Sequence, residues 1–71
     1  MKIQEFAQLS GLSAKTIRYY ESIGILPSPQ RTPNGDRDYT EKDLERARFV
    51  AAIRSLELSL DEVAEILAMR D

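Results

Sequence analysis

The chain has 71 residues, ten Lys or Arg against twelve Asp or Glu, a formal charge of −2, and neither Cys nor His. A domain of this size buries only roughly 60% of its unfolded surface, which leaves no room for a deep substrate cleft. The missing Cys and His exclude disulfide frameworks, zinc fingers, thiolate nucleophiles and imidazole bases.

No apolar run approaches the ~20 residues of a membrane span, and no secretory leader heads the sequence, which predicts a cytoplasmic protein. Charge is uneven: residues 1–40 hold five basic and four acidic side chains (+1), and residues 41–71 hold five and eight (−3). An acidic total argues against a polycation that coats nucleic acid, but a local cationic face remains open to it. Seven of the ten basic residues are Arg, whose planar fork suits phosphate and guanine.

The segment from Ile3 to Leu9 places apolar residues at 3, 6, 7 and 9 and predicts a short helix that turns at Gly11. Ser13 is a good N-cap for a second helix over about 14–22, stopped at Gly24. Ile17 and Tyr20 lie three apart and turn toward the first helix. Two short helices joined through a Gly-containing turn form a helix-turn-helix signature. Pro27, Pro29 and Pro33 then forbid helix. Asn34-Gly35 is a strong two-residue hairpin signal, because both positions tolerate positive φ, and it predicts a small hairpin around 30–40. Thr40 can cap a third helix running to about Leu56, with early acids suited to the positive end of its dipole. Ser59 and Glu62 form a capping box for a fourth helix, with Leu60, Val63, Ala64 and Leu67 on one side. The predicted core is Phe6, Leu9, Leu12, Ile17, Ile25, Leu26, Leu44, Val50, Ile53, Leu56, Leu60, Val63 and Leu67. Phe49 fits core or surface equally.

The second helix carries the chemistry. Lys15, Arg18 and Tyr19 fall on one face, with Thr16 beside them near the N-terminal end. Two cations, a hydroxyl and a phenol suit hydrogen bonding to base edges and phosphates in a major groove. The helix N-terminus adds donors with partial positive charge. Followed by a hairpin, this helix-turn-helix becomes a winged one, and the wing can set Arg37 and Tyr39 on the phosphate backbone. Glu21 reads as a surface carboxylate, able to pair with Arg18 or with another cation. The carboxylates of residues 41–65 sit mainly at two helix starts, where dipole complementation accounts for them.

The sequence resembles the N-terminal DNA-binding domain of the MerR family of bacterial transcription regulators. The matching motifs are Ile3-Gln4-Glu5-Phe6-Ala7, Gly11-Leu12-Ser13, and the run from Thr16 through Arg18-Tyr19-Tyr20-Glu21 to Gly24-Ile25-Leu26-Pro27. Arg31-Thr32, Asn34-Gly35, Arg37, Tyr39, Asp43-Leu44 and the stretch from Leu56 to Leu67 continue it without a gap. The resemblance implies a mainly α winged helix-turn-helix of four helices and a two-stranded wing, filling residues 1–71 as one domain. It implies that Lys15, Thr16, Arg18 and Tyr19 contact bases and phosphates. Arg31, Arg37 and Tyr39 would serve the first wing, and Arg54 a second wing between helices three and four. It further implies promoter DNA as the partner, RNA polymerase engaged indirectly through the promoter, and distortion of promoters whose −35 and −10 boxes lie too far apart.

Family members continue into a dimerising coiled coil and an effector domain. Neither follows here, so the full-length protein is expected to be a homodimer and this chain to self-associate weakly. Without Cys or His it is not expected to sense metals through thiolate or imidazole. Two departures bear on the wings. Asp36 stands where a bulky residue is usual, with Asp38 close by, and either weakens the phosphate contact or is spent on turn hydrogen bonds. Glu57 stands where Gly is frequent. An excisionase-like DNA-bending protein and a protein-interaction module on the same fold remain alternatives. With no nucleophile–base pair, cofactor loop or metal set, an enzyme fits least.

Overall fold

The computed structural model describes all of residues 1–71. Its elements are α1 (Ile3–Ser10), α2 (Ala14–Ser22), β1 (Gln30–Arg31), β2 (Arg37–Asp38), α3 (Glu41–Arg54) and α4 (Leu60–Arg70). The expected mainly α fold with one antiparallel hairpin is therefore present. No helix is long and apolar enough to cross a membrane.

Local chemistry explains most boundaries. The N–H of Gly11, at φ +79°, donates to Ala7 O at 3.0 Å and closes α1 in a left-handed cap. Arg48 reaches across from α3 to the same helix end and donates to Leu9 O at 3.1 Å. Ser13 caps α2 by accepting from the Thr16 N–H at 3.1 Å. That helix ends at Gly24, φ +83°, where Gly24 N–H donates to Glu21 O and Ile25 N–H to Tyr20 O. This pair of bonds is a Schellman motif, and it turns Ile25 and Leu26 inward. Thr40 with Asp43, and Ser59 with Glu62, form reciprocal capping boxes on α3 and α4.

The hairpin pairs Gln30 with Asp38 and Arg31 with Arg37. Its strands are two residues long, and its loop differs from the expected two-residue turn. Gly35 N–H donates to Thr32 O, Thr32 N–H donates to Asp36 O, and the only positive φ in the loop is at Gly35. Pro33, with φ fixed near −65°, occupies the first central position, so Asn34 stays in negative φ and Gly35 supplies the left-handed residue.

The helix α3 packs on α1 and α4, and α1 on α2. Phe6, Ile17, Tyr20, Ile25, Leu26, Leu44, Ala47, Val50, Ile53, Val63 and Leu67 close the core between them, joined by Tyr39. Two expected core residues are not there: Leu9 is 43% and Leu56 71% exposed. Leu9 lies in the last turn of α1, on its outer side. Leu56 lies past the end of α3, which stops at Arg54 because Leu56 and Glu57 N–H groups turn back onto Ile53 and Arg54 carbonyls. Leu12, Leu60 and Phe49 are half-buried against the core.

Glu57 adopts φ +62°, the only non-glycine residue in the left-handed region. For an L side chain that conformation costs roughly 1–2 kcal/mol, part of which glycine would lose again as chain entropy. Glu57→Gly is accordingly expected to raise stability by about 1 kcal/mol. The check is urea unfolding, in which the midpoint moves up at constant slope; a lower midpoint would show that the Glu57 side chain contributes more than its backbone costs.

Candidate nucleic-acid interface

The outer face of α2 is built as the spacing predicts. Lys15, Arg18 and Tyr19 are all exposed, Tyr19 at 52%, while Ile17 and Tyr20 on the other side are buried. The Ser13 hydroxyl donates to the Thr16 hydroxyl at 2.9 Å. One proton serves that bond, so one hydroxyl donor of the pair remains for an outside acceptor.

Arg31 is exposed on β1 and donates to Gly35 O at 3.2 Å, which braces the wing loop. Arg54 is exposed at the end of α3 and folds onto Leu58 O, bridging the α3–α4 turn. Lys15, Arg18, Arg31 and Arg54 have no carboxylate within 4.0 Å. By contrast, Arg46 pairs with Asp71, and Arg70 with Glu45. Arg70 also lies 4.3 Å above the Phe49 ring, so these cations fasten α3 to α4. The Asp38 carboxylate accepts from the Met1 ammonium at 3.2 Å. The same ammonium donates to Tyr39 O at 2.6 Å, and Tyr39 N–H returns a bond to Met1 O. One of the two wing carboxylates is thus neutralised internally, while Asp36 remains exposed.

Tyr39 departs from its expected place on the phosphate backbone. It is 3% exposed, with its ring stacked on Phe6 at a centroid distance of 4.0 Å. Its hydroxyl donates to Glu21 Oε2 at 2.8 Å and accepts from Arg37 at 3.1 Å. Burial pushes the Tyr39 hydroxyl above its ordinary pKa of 10.0; Glu21 pushes the same way, and Arg37 opposes. The surface reading of Glu21 is also corrected. Its side chain is 7% exposed and takes Arg37 as its partner, not Arg18. Arg37 is 25% exposed, and its hydrogen bond to Tyr39 raises its pKa against burial, helped by Glu21.

A local signal does point to Tyr39 as core. It immediately precedes the Thr40 cap, and Leu44 is the fourth residue of α3. An apolar residue before the cap facing one at the fourth helical position is a hydrophobic staple. Both are buried in the same cluster.

A recognition helix with free cations, set behind a tight turn and flanked by a short hairpin, defines a winged helix-turn-helix domain. The model of the MerR HTH family regulatory proteins matches residues 1–70. A probable heavy metal-dependent transcriptional regulator of Haemophilus influenzae is 44% identical over 71 residues, covering all of this chain and 56% of that protein. The lead(II)-bound transcription regulator of Ralstonia metallidurans superposes with a TM-score of 0.89 at 37% identity, over 100% of this chain and 56% of that one. HiNmlR, a MerR family regulator lacking the sensor domain and bound to promoter DNA, superposes with a TM-score of 0.88 at 27% identity, over 99% and 53%. The chain belongs to the MerR family and has the fold of its winged-helix DNA-binding domain. It spans about half the length of these relatives.

Tyr39 also sets an alkaline limit. The unfolded tyrosine loses its proton near pH 10 and the folded one only above that, so the unfolded state binds fewer protons as pH rises. Stability from this group is therefore fully present below about pH 10 and is lost as pH climbs through the folded value. Urea unfolding between pH 8 and 11 is expected to show that decline, with a flatter one in Tyr39→Phe. An equal decline in both proteins would remove Tyr39 as its source.

Proposed function

We propose that this domain reads a specific site in double-stranded DNA and thereby regulates transcription initiation. In this reading α2 enters the major groove, with Arg18 and Tyr19 on base edges and Lys15 and Thr16 on bases or phosphates. Arg31 rests the wing on the backbone, and Arg54 contacts phosphate from the α3–α4 turn. Arg37 and Tyr39 hold the wing from inside. The observation that carries the reading is the exposed α2 face, whose two cations have no internal carboxylate partner although acidic residues outnumber basic ones. Charge left unpaired in an acidic chain is available to an anion outside it.

Membership of the family supports the regulatory half of the proposal, as does the likeness to a relative bound to promoter DNA. The finer reading is that a full-length homodimer distorts promoters with over-long spacing between the −35 and −10 boxes, so that RNA polymerase engages both. Deformation of contacted DNA is a general means of reading positions the protein does not touch.

The test is selection of bound duplexes from a random pool at low salt, followed by variants on the enriched sequence. Low salt is required because affinity falls with each counterion released. Arg18→Ala is expected to weaken the specific complex by about 1–3 kcal/mol and relax preference at one base position. Lys15→Ala is expected to weaken all sequences alike and flatten the salt dependence by roughly one unit. No enrichment by a folded protein would count against DNA reading by this chain and in favour of a protein partner on the same face.

A further inference from the structure

The wing holds two arginines with opposite circumstances. Arg31 is exposed with no carboxylate partner, whereas Arg37 is held by Glu21, a nearly buried carboxylate on the recognition helix. Glu21 sits one turn beyond Arg18. Its two oxygens divide the work: Oε1 takes the Arg37 guanidinium and Oε2 takes the Tyr39 hydroxyl, while Arg37 also donates to that hydroxyl. The three groups close a ring that joins α2 to β2, and Tyr39 continues it into α1 through Phe6. No buried side-chain polar atom is left unpartnered.

From this arrangement, and resting on the DNA-reading function proposed above, we infer that Glu21 is a positioning residue with a second effect. It fixes the wing's stance relative to the recognition helix, and it masks the Arg37 charge so that Arg37 does not act as a phosphate ligand. The physical reason is charge compensation. Arg37 spends only Nη1 on Glu21 and Tyr39, but a phosphate at its other donors meets a guanidinium already offset by a contacting carboxylate, and drawing Arg37 away would leave that carboxylate desolvated without its counter-charge. The bound wing therefore presents one working cation, Arg31, at a position set by Glu21.

Neutralising Glu21 frees Arg37 to act on phosphates of any sequence. Non-specific affinity rises while discrimination falls, because the freed wing no longer stands in one place. A residue that merely stabilised the fold would not change the number of phosphates neutralised.

The experiment measures affinity for an enriched duplex and for an unrelated one across a salt series, with far-UV circular dichroism confirming the fold. The slope of log affinity against log salt is about 0.9 per neutralised phosphate. For Glu21→Gln the slope is expected to steepen by about 0.9, with a lower ratio of specific to non-specific affinity. The double variant Glu21→Gln with Arg37→Gln is expected to return to the parent slope. Tyr39→Phe loosens the ring without freeing a charge and should keep the parent slope. Arg37→Gln alone should also keep it, and that variant decides the matter if Glu21→Gln does not fold. A slope flattened by about 0.9 in Arg37→Gln overturns the inference, because Arg37 would then be a phosphate ligand already. An unchanged slope in a folded Glu21→Gln overturns it too. Arg18→Ala separates the two layers: if it weakens specific binding while Glu21→Gln changes nothing, only the role of Glu21 fails. If Arg18→Ala changes nothing, the DNA reading fails and the inference falls with it.

Discussion

Tyr39 holds together what would otherwise be two loosely joined pieces. The helices α1, α3 and α4 make one packed body, whereas the hairpin has strands of two residues and no sheet to lean on. An isolated hairpin of that length does not persist in water. The Tyr39 ring supplies apolar contact with Phe6, and its hydroxyl supplies a polar one with Glu21. A phenylalanine could give the first and a serine the second. Only a side chain with an apolar body and a hydrogen-bonding tip gives both.

Charge is sorted by the same architecture. Arg37, Arg46 and Arg70 meet carboxylates and serve the fold. Lys15, Arg18 and Arg31 meet none and stand at the helix face and wing. Exposed ion pairs of the Arg46 and Arg70 kind contribute little to stability singly, at most about 1 kcal/mol. They thin the free cations of the α3–α4 side without exhausting them, since Lys42 and Arg48 on α3 also lack a carboxylate partner.

Much of this was legible in the sequence because the signals are local. Ser13, Thr40 and Ser59 each cap the helix that follows, and each cap is decided within four residues. The exposed face of α2 follows from helical spacing once its start is known. Contacts across the chain were not legible. Glu21 and Arg37 are sixteen positions apart, and neither residue alone distinguishes a buried pair from two surface charges. Leu9 and Leu56 have apolar side chains at helix ends, where a small shift of boundary moves a residue from core to solvent. The hairpin loop departs from an Asn-Gly turn because Pro33 constrains the turn more strongly than Asn34 and Gly35 permit it. The burial of Tyr39 is itself a local signal, since the staple that places it spans only residues 39 to 44.

The separation between reading residues and holding residues has an evolutionary consequence. Lys15, Arg18 and Tyr19 donate no side-chain hydrogen bond within the domain and lie outside the buried core, which only the Tyr19 ring meets, tilted against Tyr20 at 6.0 Å. On the DNA reading proposed above, a lineage can acquire a new target site by altering these three positions with little cost to folding. Glu21, Arg37 and Tyr39 have no such freedom, because each depends on the other two and a change in one must wait for a compensating change in another. Drift in what the domain recognises should accordingly run faster than drift in how it holds its wing.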